Sequence, residues 1–334
     1  MGSSSRISRH ATASTGLSLL SDRQLTERLE SAEVLSEGIG GTGARLDVDG
    51  VPVFAKRVPL TALERQHPHS TANLYGLPAF CHYGLGSPEG SAWRELALHT
   101  MANGWILSGA CENFPLLHHW RILPVPSGRV PDRPLEEDVE YWGGSAAVRR
   151  RLTELRDASS SVVLFCEYFP TNVHRWLPDH LDQVERLAGQ VAETLSFLRA
   201  QGVLHFDNHF ENFLTDGDQF VLTDFGLSFA RRFDLTAEEA AFAELNAGHD
   251  RAYGSMYLVN WLVTEVCGTW DRESRLTAVG RAAAGELSLP SPVAEVVTRH
   301  AAVAVEMNAF YGRLLEDRET PFPAEVFARV ARRS

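Results

Sequence analysis

The chain has 334 residues, with 31 Lys and Arg against 43 Asp and Glu, a formal net charge of −12. An acidic chain without a basic tail is a poor partner for nucleic acid, whose phosphates need clustered Lys and Arg. Any polyanion it holds must meet a local positive site, and the 44% hydrophobic content is that of a globular chain able to bury a core. In chain order, residues 1–20 are rich in Ser and Thr and read as a disordered tail. Ser21-Asp22-Arg23-Gln24 then has the form of a helix start, with Leu25, Leu29 and Ala32 at helical spacing. Residues 34–58 read as strand, glycine loop, strand, tight turn, strand, the turn being Asp49-Gly50.

Residues 61–90 are loop-rich, and 92–101 predict a helix. Strands are predicted over 116–125 and 161–169. Between them, 126–160 is Pro/Gly-rich and then charged, and its Arg149-Arg150-Arg151 reads as a mostly solvated helix face. Residues 181–201 form an amphipathic pattern closed by Gly202. Short apolar runs at 203–205 and 220–223 flank a polar loop, and 236–330 reads as helix almost throughout. A β-rich half therefore precedes an α-rich half, with the boundary near 169–178. The four cysteines, Cys81, Cys111, Cys166 and Cys267, are far apart, which fits a reduced, cytoplasmic protein and neither a disulfide scaffold nor a zinc site. No apolar run is long enough to span a membrane, so no membrane role is expected.

The chemistry concentrates in residues 203–226, VLHFDNHFENFLTDGDQFVLTDFG. Asn212 follows Asp207 by five positions, and Asp224 follows Asn212 by twelve. One carboxylate can orient a hydroxyl and take its proton. The amide oxygen and the second carboxylate can hold Mg²⁺ on nucleotide phosphates. Upstream, Gly38-Ile39-Gly40-Gly41-Thr42-Gly43 fits a glycine lid between two strands, since a hairpin and not a helix follows it.

These residues resemble the catalytic loop and DFG motif of the protein-kinase-like superfamily, and Val53-Phe54-Ala55-Lys56 resembles its lysine-bearing strand. The resemblance implies an α+β, bilobal fold. Its antiparallel β-sheet N-lobe would span 21–169, with insertions at 61–90 and 126–160, and its mainly helical C-lobe 170–334. It implies ATP and Mg²⁺ as cofactors. Gly38, Gly40, Gly41 and Gly43 would cover the phosphates and Lys56 would clamp them. Glu95 would hold the lysine, with Glu64 as the alternative. Glu167 and Phe169 would offer backbone groups to adenine beside Phe165 near the gatekeeper position. Asn212 and Asp224 would hold the metal, and Asp207 would act as catalytic base. Asp250 is expected to anchor the catalytic loop from below, or to be an ordinary helix cap.

The sequence also departs from a protein kinase. Phe206 replaces the arginine that pairs with a phosphorylated activation loop. His209 stands where protein kinases place a lysine, which is similar to the aminoglycoside phosphotransferases. Arg45 replaces a usual valine, no A-P-E triplet follows Gly226, and 236–247 looks helical. The expected activity is ATP- and Mg-dependent phosphotransfer to a hydroxyl-bearing substrate, first a Ser/Thr protein or peptide. The alternatives are a small-molecule kinase and a non-catalytic nucleotide-binding scaffold.

Overall fold

A computed structural model of the chain describes residues 3–38, 41–84, 88, 90–125 and 134–330. The class is α+β with an antiparallel sheet. The chain divides into two units. The first holds Met1–Pro170, Thr223–Ser228 and Arg232–Thr236, and the second holds Thr171–Leu222, Phe229–Arg231 and Ala237–Ser334. Among the described residues no helix is long and apolar enough to cross a membrane.

The first unit begins with helices α1 (Ser3–Ser18) and α2 (Asp22–Glu30). Strands β1 (Glu33–Gly38), β2 (Gly41–Val48) and β3 (Val51–Leu60) follow as successive hairpins. Asp49 (φ 53°) and Gly50 (φ 80°) both take positive φ, as a two-residue turn matched to strand twist requires. Helices α3 (Ala62–Gln66) and α4 (Ala92–Leu107) precede β4 (Leu117–Pro124). Helices α5 (Leu135–Tyr141) and α6 (Ala146–Arg156) precede β5 (Ser160–Glu167). The sheet order is β1-β2-β3-β5-β4.

Side chains alternate between the two faces of the sheet. Val53, Ala55, Val163 and Phe165 pack with Leu25 and Leu29 of α2 and with Ala13 and Leu17 of α1. Val58, Leu60, Val162, Leu164 and Cys166 pack on the other face with Ala92, Trp93 and Leu96 of α4. Phe165 thus lies on the face opposite α4, and the expectation that it sits near a gatekeeper position is corrected: Leu164 is the residue opposite Lys56 in the ladder.

The expected disordered tail is also corrected, because residues 3–18 are helical. Arg6, His10, Ala13 and Leu17 recur at helical spacing, and Arg6, Ala13 and Leu17 are buried. Arg6 donates through Nε to both Glu167 oxygens, at 3.0 and 2.8 Å, and to the carbonyls of Glu112 (2.8 Å) and Phe114. Nδ1 of His10 lies 2.9 Å from Nδ1 of His118, whose pKa burial pushes down to about 3. Gly16 permits the approach, since a Cβ there would meet Asp49 at 2.6 Å and Val48 at 2.7 Å. The solvated reading of the three arginines fails at Arg151. Arg149 and Arg150 are exposed and pair with Glu136 and Glu154, but Arg151 is buried against Glu64 at 3.0 Å.

The second unit opens with β6 (Thr171–Asn172), α7 (Val173–Trp176) and α8 (Val184–Ala200). Helix α8 buries Val184, Leu187, Val191, Leu195 and Leu198, the face expected from the spacing. Short strands β7 (Val203–Leu204), β8 (Phe213–Thr215), β9 (Phe220–Leu222) and β10 (Phe229–Ala230) follow. Sheets of order β6-β8-β9 and β10-β7 result, both antiparallel. Helices α9 (Ala237–Leu245), α10 (His249–Cys267), α11 (Arg272–Ala283), α12 (Val293–Glu316) and α13 (Ala324–Val330) complete it. The helical reading of 236–247 holds in α9.

Arg6→Ala strips the buried Glu167 carboxylate of its nearer, buried cation and leaves only Arg9, partly exposed and 3.6 Å away. The expected loss is about 3–5 kcal/mol of stability, read as a lower denaturant midpoint than that of the intact chain.

Candidate active site

Lys56 lies on β3 on the same sheet face as α4. Glu95, in the first turn of α4, meets it there. Nζ of Lys56 donates to Glu95 Oε1 at 2.7 Å and to Asp224 Oδ1 at 2.7 Å. Glu95 was one of two carboxylates expected to hold this lysine. The other, Glu64, is occupied elsewhere, in the Thr61 capping box of α3 and against Arg151. Burial alone lowers the Lys56 pKa, but Asp224 and Glu95 outweigh it and hold the amine above its ordinary 10.5. Burial pushes the Glu95 carboxyl up, with Lys56 opposing and Asp224 adding to the effect. Two carboxylates around one ammonium leave an excess of negative charge, the setting a divalent cation neutralises.

Asp224 sits at φ +62°, a costly backbone for a residue with a side chain. Its neighbours fix it. Phe225 is fully buried, with its ring 5.0 Å from His99 and 6.0 Å from Phe114. Gly226 N–H donates to Asp224 Oδ1 at 3.3 Å. A Cβ at Gly226 would sit 3.2 Å from that oxygen and 3.6 Å from Glu95 Oε2, so the glycine is a matter of space.

The second constellation belongs to the second unit. Asn212 Nδ2 donates to the Asp207 carbonyl at 2.8 Å and to its Oδ2 at 3.2 Å. The amide nitrogen is thereby committed to Asp207, and Oδ1 is the end that suits a cation. Glu211 N–H donates to His209 Nδ1 at 3.2 Å, so the ring proton belongs on Nε2, which lies 3.5 Å from Asp207 Oδ1. His209 therefore faces the Asp207 carboxylate. Tyr253 and Tyr257 stand nearby, and burial, with the Asp207 charge adding to it, raises both phenols, Tyr257 to about 12.

Helix α10 carries this loop. Asp250 is buried and accepts N–H bonds from His205 at 2.6 Å and Phe206 at 2.9 Å. Its carbonyl accepts from Asn208 Nδ2 at 2.9 Å. Gly248, not Asp250, caps the helix, so Asp250 is the anchor and not the cap. Gly254 lets the loop lie close, since a Cβ there would be 3.1 Å from Asn208 Nδ2. Phe206 takes φ +65° and stacks on Phe242 (5.6 Å), with the His249 ring tilted against it at 4.8 Å.

The remaining expected residues fare unevenly. Gly38, Gly41 and Gly43 lie on the β1–β2 hairpin, with Gly38 opposite Gly41 and Gly43 opposite Lys56. Gly40 lies outside the described residues. Glu167 commits its N–H to the Leu116 carbonyl at 2.7 Å and its carboxylate to Arg6 and Arg9. Phe169 is buried just before the unit boundary. Arg45, opposite Phe54 in the ladder, lies with its guanidinium 4.9 Å over the Tyr168 ring. Among the described residues no group of three or more His, Cys, Asp and Glu forms a ready metal cage. A carboxylate such as Asp224 is a group that can hold Mg²⁺, which is commonly bound by one or two carboxylates together with substrate phosphates. Set beside known proteins, the chain matches no family model and no curated protein.

Asp250 is held below its ordinary 3.8: burial raises it, but His249 and the N–H groups it accepts outweigh that. A depressed carboxyl stabilises the fold above its unfolded pKa and loses that contribution as pH falls through the folded value. Asp250→Asn should therefore cost about 2 kcal/mol near neutrality, read from denaturant midpoints. The gap to the wild type should close below pH 3.8.

Proposed function

We propose that the chain is an ATP- and Mg²⁺-dependent phosphotransferase with a bilobal protein-kinase-like fold, moving the γ-phosphate to a hydroxyl, first of a Ser or Thr in a protein or peptide. One observation carries the reading: Lys56 held at 2.7 Å from both Glu95 and Asp224. A structural ion pair needs one carboxylate. A lysine shared between two, one of them on a glycine-bounded turn with positive φ, is arranged to be handed to an anionic ligand.

In this reading Lys56 binds the nucleotide phosphates and Glu95 keeps its amine in place. The hairpin of Gly38, Gly41 and Gly43 supplies backbone N–H groups over them. Asn212 and Asp224 hold Mg²⁺, which when bound neutralises charge on the phosphate oxygens. Asp207 orients the acceptor hydroxyl and takes its proton. Asn212 fixes the Asp207 carboxylate through Nδ2, and His209 directs Nε2–H toward it or toward the transferring phosphate. Positioning and charge stabilisation supply most of the acceleration.

A second reading, a small hydroxylated molecule as acceptor, is favoured by the segment that follows Gly226. It runs into helix α9 within eleven residues, where a protein kinase would offer an extended peptide-docking loop.

The test is transfer from γ-labelled ATP in Mg²⁺, with generic proteins and a panel of hydroxylated small molecules as acceptors. Asp207→Asn should lose about 10²–10⁴-fold in kcat while still binding ATP. Equal transfer by both proteins would sink the role of Asp207. ATP binding without transfer to any acceptor would mark a scaffold instead.

Lys56→Met should weaken ATP binding and raise the Glu95 carboxyl further, because the ammonium that opposes the shift is gone. Calorimetry with ATP, and the pH dependence of that variant's stability, check both effects.

A further inference from the structure

Residues 61–90 and 126–160 take no part in the chemistry proposed above, yet their side chains converge on the segment that carries Asp224. Thr71 Oγ1 accepts the Asp234 N–H at 2.9 Å, and the Thr71 carbonyl accepts Arg94 Nε at 2.7 Å. Arg94 is buried, with its guanidinium 5.5 Å from the Phe233 ring. His82, also buried, sets Nδ1 at 3.0 Å from the Leu227 carbonyl, which places the ring proton on that nitrogen. A Cβ on Gly90 would lie 3.6 Å from the Gly226 carbonyl oxygen. The Gly90 carbonyl is itself tied by Arg151 at 2.9 Å, and Arg151 is seated on Glu64. Helix α6 thus anchors this stretch at Glu64 and Gly90, and the contacts fall on the two ends of the returning segment, at Gly226 and Leu227 and at Phe233 and Asp234.

We infer that residues 61–84, together with Gly90 and with Arg94 of α4, are a built-in clamp that holds the Asp224 segment in its metal-binding conformation, with Thr71, His82 and Arg94 as positioning residues. The metal-binding half of this statement rests on the phosphotransferase reading.

Two further observations require such a clamp. Asp224 holds a positive φ, which persists only where the surroundings over-determine it. A phosphate-driven ordering of the segment has little to work with. Between Gly226 and Asp250 the chain offers only Ser228 and Thr236 as hydroxyls, and Ser228 is buried. The position before Asp207, where a cation would meet such a phosphate, is Phe206, packed among aromatic rings. The segment is therefore set in place by the chain's own contacts and needs no modification.

The experiment uses the full chain and three variants, Arg94→Ala, His82→Ala and Thr71→Val. The last removes a single acceptor and spares the buried cation. Amide hydrogen exchange over 225–234 should speed up about tenfold in each, the loss expected for one hydrogen bond. ATP affinity by calorimetry should fall several-fold with Mg²⁺ present and stay level in EDTA. Arg94→Lys, which keeps the cation over Phe233, should recover part of both. Unchanged exchange in all three variants overturns the clamp. Faster exchange with unaltered Mg²⁺-dependent binding overturns the positioning role. Absence of phosphotransfer by the wild type bears on the phosphotransferase reading alone, since neither readout here requires turnover.

Discussion

The rest of the first unit depends on one ammonium group shared by two carboxylates. Lys56, Glu95 and Asp224 come from a strand, a helix and a returning segment, and each must arrive within hydrogen-bond length. Coulomb attraction at such distances is large only where water is excluded, and exclusion is what the sheet and α4 provide. The Glu64 carbonyl accepts Trp93 Nε1–H at 2.8 Å and fixes the entry of α4. Phe225 seated under α4 does the same for the returning segment. Removing any one of these supports leaves a buried charge without its counterpart, and that costs more than the pair is worth as a stabiliser.

The second unit solves a similar problem with a buried carboxylate and backbone N–H groups in place of an ammonium. A loop that must present Asp207 outward has backbone N–H groups to satisfy and a strained residue, Phe206, to retain. The buried Asp250 carboxylate accepts two of those N–H groups, and the aromatic cluster around Phe206 fills the space its ring demands. Gly254 contributes by lacking a side chain. Asp207 and its loop are thus held from behind by Asp250 and the aromatic cluster.

Much of this arrangement was legible beforehand, and what was not has identifiable causes. The hairpins were readable because Asp49-Gly50 is a local turn code. The α8 face was readable because one side of that helix is wet. Glu95 was favoured over Glu64 on spacing, and the ion pair bears that choice out. The side-chain phase of β5 was not readable. All its residues are buried, so alternation leaves no mark, and the sequence does not separate Phe165 from Leu164, the residue opposite Lys56. Helix α1 was missed because its inner face mixes Arg6 and His10 with Ala13 and Leu17, which does not register as amphipathic. Its partner Glu167 lies 161 positions away. Arg151 was missed for the same reason. A buried arginine looks like its solvated neighbours until its distant carboxylate is known.

The path of the chain has a consequence for how the molecule is assembled. It leaves the first unit at Pro170, returns at Thr223, departs after Ser228 and comes back for Arg232–Thr236 before its final exit. The first unit is therefore not a contiguous piece of sequence, and a cut at 170/171 would strip Asp224 from Lys56. Completion of the lysine cluster waits on a stretch of polypeptide already threaded through the other unit. The loop-closure entropy of that detour falls due before the contact rewards it. The lysine cluster is thus closed by a contact 168 positions long in sequence, between Lys56 and Asp224.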